Sequence, residues 1–466
     1  MFAPLRWMVA AALIASAAAS PAFARRKAKS PPPPPLPPPL FSPERFAVER
    51  HVLDNGLVVL LHEDHTVPAI TFWQIYRVGS RNERPGITGI SHFFEHMMFN
   101  GSKNVPPKQY DRILESNGGA SNAFTDLDVT AYFEDVASDR LDVVLELDSD
   151  RMASLSLAPE ELASEIEVVK EERRLGTDND VFGMGNELLF ATAFLASPYR
   201  TPIVGWMGDL ERIEREEMVD YFRTYYAPNN CVLVLTGDFD PAIALAKIRS
   251  RFEPIPRQKP PSEPVDSEPE QLGERRAQVH YPAEGPSFQE GYKAPGVKSP
   301  DIHALQVLAA VLSTGTSSRL HRALVYDAEL ALSARADFTL RLMPELFQFS
   351  VDLRPGKSLA EGEAALDSVL TRLSAEGPSS AELEKAKNQI EAEAVRALAT
   401  NNGAGFQIGF NEVMFGDYHA MFDSVAKARA VTIDDCKRVA RQVFDPAKRT
   451  VVEIVPGDEH GPETHP

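Results

Sequence analysis

One pattern occurs twice in this chain, about 220 residues apart, and it narrows the possible folds more than composition does. In the first copy a helical stretch runs into Tyr226-Ala227-Pro228, an apolar strand follows, and the strand closes on Gly237-Asp238. In the second copy a helix runs into Phe444-Asp445-Pro446, a strand follows, and the close is Gly457-Asp458. So long a spacing is domain duplication, not a solenoid repeat. The expected fold class is α+β: two homologous halves, each an antiparallel sheet with helices packed on one face. The polar, proline-rich residues 258–275 form the boundary between an N-terminal half, 46–257, and a C-terminal half, 276–458.

Local patterns fill in this plan. Residues 46–62 read as a hairpin turning at Asn55-Gly56, and residues 70–78 as a further strand. One strand is expected over 121–134, after the turn Asn117-Gly118-Gly119-Ala120. Helices are expected at 110–116 and 139–152, from Pro159 towards Gly176, and around 181–195 and 214–226. In the second half the order is strand 287–292, helix 303–312, strands 332–342 and 346–353, then helices 359–375, 380–399 and 432–443.

The N-terminus reads as a secretory leader. Arg6 supplies a positive charge, residues 7–19 are apolar but too few to span a bilayer, and Ala22-Phe23-Ala24 is an Ala-x-Ala cleavage site. Cleavage after Ala24 leaves a proline-rich linker, 25–45, and no cysteine that could anchor a lipid. This points to a periplasmic or secreted protein. A polar tail, 459–466, ends the chain. The net charge of −19 argues against a nucleic-acid partner. The only two cysteines, Cys231 and Cys436, lie in separate apolar elements and read as separate thiols, not as a disulfide or a zinc knuckle.

The chemistry is concentrated in His92-Phe93-Phe94-Glu95-His96. At ~100° per residue a helix places His92, Glu95 and His96 on one arc, with Ile90, Phe94, Met97 and Met98 opposite. Two histidines at i and i+4 can share one zinc ion, and a carboxylate beside them can act as a base. A third ligand must come from elsewhere. The helix after Pro159 is rich in glutamate, and the helical angle sorts its members. Glu165 and Glu172 fall on the side of Val168 and Val169, while Glu167 and Glu171 point away. Carboxylates on an apolar side need a metal, a salt bridge or a hydrogen bond, so Glu165 and Glu172 are preferred over Glu171.

His-x-x-Glu-His, followed by Glu172, resembles the pitrilysin/insulinase family of zinc metallopeptidases, the inverted zincins. Asn122-Ala123-Phe124-Thr125 and residues 128–132 match the family's substrate-edge region. Ser197-Pro198-Tyr199 resembles its His-Pro-Tyr segment, with serine for histidine. The resemblance implies Zn²⁺ held by His92, His96 and Glu172. It makes Glu95 the general base for peptide hydrolysis and Glu165 an outer carboxylate steadying a histidine. Asn122, Ala123 and Phe124 become the substrate-binding edge. It also implies that the chain is half of a clamshell whose closed chamber admits peptides or unfolded segments.

One departure qualifies this. Complete family members carry an arginine and, seven residues later, a tyrosine that hold substrate and oxyanion. Ungapped alignment puts Val325 and Leu332 there. The expectation is a heterodimer whose homologous partner supplies the pair; a homodimer ranks below it. The alternative is a non-catalytic assembly or binding subunit. The intact His-x-x-Glu-His argues against that alternative.

Overall fold

The computed structural model describes Pro43 and residues 46–457. The leader, nearly all of the linker and the tail lie outside the described residues. Eleven strands form two sheets. The first sheet contains β1 (Glu49–Val52), β2 (Val58–Glu63), β3 (Ala69–Tyr76), β4 (Ala120–Thr125), β5 (Thr130–Ala137) and β6 (Cys231–Gly237), in the order β1-β2-β6-β3-β5-β4. The second contains β7 (Arg275–Tyr281), β8 (Ser287–Ala294), β9 (Ala331–Asp337), β10 (Glu345–Leu353) and β11 (Arg449–Pro456), in the order β7-β11-β8-β10-β9. Setting β1 aside, the two orders are the same path written five strands later. The duplication visible in the sequence is therefore a duplication of topology.

In each half the last strand returns to lie between the first two. β6 runs parallel to β2 and β11 parallel to β7, while the remaining pairs are antiparallel. The sheets are thus antiparallel-rich, not purely antiparallel as expected. A strand that closes the unit after several helices arrives by a long crossover, which permits parallel pairing.

The helices of the first half are α1 (Ile90–Met97), α2 (Tyr110–Ser116), α3 (Leu141–Ser154), α4 (Pro159–Arg173), α5 (Val181–Ala193), α6 (Met207–Leu210), α7 (Arg215–Tyr225) and α8 (Pro241–Phe252). Those of the second are α9 (Ile302–Ser313), α10 (Leu359–Glu376), α11 (Ser380–Ala397), α12 (Asn401–Phe415), α13 (Ala420–Ala430) and α14 (Ile433–Val443). Helix residues including Phe94, Leu145 and Ile248 pack on one face of the first sheet, against Val59, Phe72 and Leu233. Leu305, Leu366 and Val439 do the same on the second, against Phe347 and Phe349.

The other faces are covered too, so helices do not lie on one face only. Trp73, Ile75, Val232 and Val234 of the first sheet pack against Ile408 and Val413 of α12, a helix of the second half. Leu189 and Ala193 of α5, a helix of the first half, pack with Leu346 and Val452 of the second sheet. The reason lies in the strands. β6 is buried at every position and β3 at all but its first. A strand buried on both sides needs two layers of cover, and each half lends the other one helix.

The chain departs from expectation in two further places. Residues 121–134 form a hairpin, β4 and β5, closed at the turn where Asp126 N–H donates to Val129 C=O. The elements β7, α8, α12 and α13 were not anticipated. Residues 256–274 form no helix or strand, yet Glu268 within them accepts the backbone N–H groups of Leu195, Ala196 and Ser197 and the Lys293 ammonium. Cys231 and Cys436 are free and buried, and burial pushes the Cys436 thiol up to about 12. Among the described residues no helix is long and apolar enough to cross a membrane.

Candidate metal centre

The site begins with the chain entering α1. Gly89 has φ +88°, and a Cβ there would stand 2.4 Å from the Val204 carbonyl oxygen. Gly205 (φ +84°) answers from the other side, where a Cβ would meet the Thr88 carbonyl at 2.3 Å. Only glycine allows these backbones to approach so closely in that conformation. The Glu83 carboxylate then accepts from Gly89 N–H at 2.7 Å and Ser91 N–H at 2.9 Å, capping α1 at its positive end. Burial pushes that carboxyl up to about 8, against the pull of these hydrogen bonds.

Ile90, Ser91, Phe93, Phe94 and Met97 are buried, and Phe94 stacks on Tyr221 and Phe222. This leaves His92, Glu95 and His96 on the open side of the helix, the arc its spacing defined. From α4, Glu172 reaches them. Its Oε2 is 3.2 Å from His96 Nε2 and 3.7 Å from His92 Nε2. Two ligands at Zn–N/O distances of ~2.1 Å in a tetrahedral site stand ~3.4 Å apart, which these spacings bracket. One donor atom from each of His92, His96 and Glu172 lies within 4.8 Å of the others. Two imidazoles and a carboxylate are a donor set for Zn²⁺ that keeps a coordination position free, so the residues present fit the ion.

Glu165 stands behind. Its Oε1 meets His96 Nδ1 at 2.9 Å, and its Oε2 accepts from Asn100 Nδ2 at 2.9 Å. The hydrogen bond from His96 holds the Glu165 carboxyl below its ordinary value. A bond at Nδ1 fixes the ring so that Nε2 faces Glu172. Burial lowers His96, but Glu165 and the charges of Glu172 and Glu95 outweigh it, and the imidazole titrates above its usual range. His92 has no such support; burial, then the charge of His96, depresses it to about 4. Burial raises the Glu95 carboxyl, with Thr125 the largest opposing influence.

The geometry corrects one premise of the sequence argument. The buried side of α4 carries Leu162, Val169 and Arg173. Val168 is exposed, and the Glu172 side chain is 47% exposed. Glu165 and Glu172 flank the buried stripe; they are not inside it. Glu171 points to Arg174, at 2.9 Å, away from the histidines.

A groove of about 540 Å³ opens in front of His92 and Glu95. Phe124 and Thr125 of β4 form part of its wall. β4 is the outermost strand and pairs only with β5, so its other backbone edge, which includes Asn122 and Ala123, is unpaired in the sheet. The second half contributes Thr339, Arg341, Glu345 and Gln348 to the lining. None of these was anticipated. The signal available was Tyr199, whose buried hydroxyl donates to Asp128 at 2.7 Å and accepts Met343 N–H at 3.1 Å, tying the two halves together at this groove. Val325 packs against the core of the second half, and Leu332 is 60% exposed at the start of β9; neither lines the groove.

Residues 58–205 match the family described as Insulinase (Peptidase family M16), and residues 212–390 match the Peptidase M16 inactive domain. The zinc protease PqqE of Helicobacter pylori is 31% identical over 88% of this chain and 93% of its own length. A Bacillus subtilis relative named as an uncharacterized zinc protease, YmxG, is 25% identical over 85% of this chain and 96% of its length. A Helicobacter pylori protease of known structure superposes with a TM-score of 0.84 at 30% identity, covering 88% of this chain and all of that one. The chain therefore belongs to the pitrilysin/insulinase family, peptidase family M16. Its two-sheet architecture recurs in the periplasmic protease PqqL of Escherichia coli at a TM-score of 0.72 and 18% identity, where 88% of this chain covers 48% of that one.

Proposed function

We propose that this chain is the metal-bearing subunit of a zinc-dependent peptidase that hydrolyses peptide bonds in peptides or unfolded segments. The observation that carries the reading is the convergence of His92, His96 and Glu172, with His92 and Glu95 lining a groove. His92, His96 and Glu172 would hold Zn²⁺, and the ion when bound would polarise the scissile carbonyl and acidify water. Glu95 takes a proton from the attacking water and returns it to the leaving amine; its raised carboxyl suits a group that must both accept and give a proton. Glu165 holds His96 through Nδ1. The free edge of β4, through Asn122, Ala123 and Phe124, aligns an extended substrate as an added strand.

The oxyanion and substrate contacts that a complete member draws from an arginine and a tyrosine come, on this reading, from a homologous partner closing over the groove. Support comes from the positions of Val325, which packs in the core, and Leu332, which is apolar. The same two residues favour the second reading, a non-catalytic assembly subunit. One experiment separates them. Glu95→Gln should keep one zinc per chain by metal analysis yet lose peptidase turnover by at least about a hundredfold, the scale of general-base catalysis. Turnover unchanged by Glu95→Gln would remove Glu95 as the base. No turnover in any combination with a homologous partner would favour the assembly role. The leader signal supports export to the periplasm or beyond, which cell fractionation of a tagged full-length chain would test.

A further inference from the structure

The second half contributes to the groove lining a buried carboxylate with one oxygen unpartnered. Glu345 opens β10, is 3% exposed and lines the same groove as His92 and Glu95. Its nearest charge is Arg341, with Nε 3.6 Å from Oε1. That guanidinium is already engaged by Asp126. Behind it Asp128 takes Arg81 at 3.0 Å, the Tyr199 hydroxyl at 2.7 Å and Leu342 N–H at 3.0 Å. Arg81 also reaches the exposed Glu263 at 3.2 Å. The buried acids Asp128 and Glu345 and the partly exposed Asp126 thus share two arginines, Arg341 and Arg81. Glu345 Oε2 is buried and has no hydrogen-bond partner.

An uncompleted buried carboxylate is costly, and here burial pushes the group up to about 8. A fold that only needed a filled junction would be served by an apolar or amide side chain. Along the same wall lie Thr339 and Gln348, polar and uncharged. Arg341 is shared with Asp126, so Glu345 is held toward its neutral form, and a cation entering the groove would draw it into the ionised one.

We propose that Glu345 is a specificity residue, whose free Oε2 receives a cationic group of the bound peptide: a lysine or arginine side chain, or the peptide's own terminal ammonium. The incoming cation favours the ionised form of Glu345 and completes the unpartnered oxygen. The proposal rests on the peptidase reading above. It adds a recognition element from the second half of the same chain, independent of any partner.

The test uses the full chain carrying Glu95→Gln, loaded with zinc and silent in turnover, and fluorescent peptides that differ at one point. One peptide carries lysine, one norleucine at that position, and each is made with a free or an acetylated N-terminus. The lysine or free-amine peptide should bind at least about tenfold more tightly than its neutral counterpart, ~1.4 kcal/mol. Loss of the preference with norleucine identifies a side chain, and loss on acetylation identifies the terminus. Adding Glu345→Gln should erase the preference. Gln348→Lys, which adds a competing cation to the lining of the groove while Glu345 stays intact, should weaken it too and gives an answer if the first variant fails to fold. Peptides that bind equally whatever their charge, or a preference unchanged in both variants, overturn the subsite and leave the peptidase reading standing. Absence of binding by every peptide overturns the subsite, and turnover with a homologous partner then judges the peptidase reading.

Discussion

His92 and His96 sit one turn apart on α1, but different neighbours hold them, and this sets what nearby replacements should do. Glu165 steadies His96 through Nδ1, so Glu165→Ala should weaken zinc binding about 10- to 100-fold, the usual effect of losing such a support. Glu171→Ala removes a carboxylate paired with Arg174 and should leave zinc affinity unchanged. Chelator competition on the two variants measures the difference, and equal losses would refute the assignment. Glu83 gives a pH signature. Its folded-state carboxyl lies near 8, well above an unfolded glutamate, so the folded state holds the extra proton. The Glu83 contribution to stability is therefore lost as pH rises from about 4.5 to 8, and Glu83→Gln lacks that loss. The melting temperature of Glu83→Gln relative to wild type should become more favourable between pH 5 and pH 8.5; a constant difference would show that the carboxyl does not titrate with folding. Much of this centre is legible in the sequence, because helical angle alone sets His92, Glu95 and His96 on one arc and Glu165 and Glu172 on one side of α4. What the angle cannot give is burial. Val168 looked like part of a core stripe and is exposed, and Glu172 is reached from solvent.

Among the elements that sequence patterning missed, α12 belongs to the exchange between halves. α12 begins with Asn401-Asn402-Gly403-Ala404-Gly405, a poor helix sequence by intrinsic propensity. The glycines are there because the helix lies directly on the first sheet. A Cβ on Gly405 would stand 2.6 Å from Trp73 Cδ1, and one on Gly409 2.4 Å from Ile75 Cδ1. Tertiary contact overrides propensity at this helix, and no local signal carries that information. The fully apolar run Cys231-Val232-Leu233-Val234-Leu235 did carry a signal, since a strand covered on one face would alternate. Gly409→Leu should overpack this seam and cost about 1–3 kcal/mol, a fall of a few degrees in thermal midpoint. Gly208→Ala, where a Cβ meets nothing within 4 Å, should be neutral. Equal midpoints for Gly409→Leu and wild type would mean that α12 does not press on the sheet as described.

At the scale of the whole molecule, on the proposed reading the chain presents half of what amide hydrolysis requires. His92 and Glu95 line an open groove together with Glu345 and Arg341 of the second half, and Arg341 is already engaged by Asp126. Val325 and Leu332, which align with the arginine and tyrosine of complete members, do not line it: Val325 packs against its own core, and Leu332 is exposed. Leu175 and Phe182, at the end of α4 and the start of α5, are exposed apolar side chains near the same groove, where Gly176 and Gly183 line its wall. A second unit of the same fold closing over this face would cover apolar surface, exclude water and bring in the missing contacts at once. On the proposed division of labour, the purified chain should bind zinc but cleave peptides at a rate near background. Adding a homologous chain that lacks His-x-x-Glu-His and carries the arginine–tyrosine pair should raise turnover by at least about two orders of magnitude, the scale of restoring oxyanion contacts. Co-elution of the two chains by size exclusion should accompany the gain, and the gain should vanish with Glu95→Gln in this chain. Full activity of this chain alone, whether monomer or homodimer, would refute the division and require that its own residues supply the oxyanion contacts.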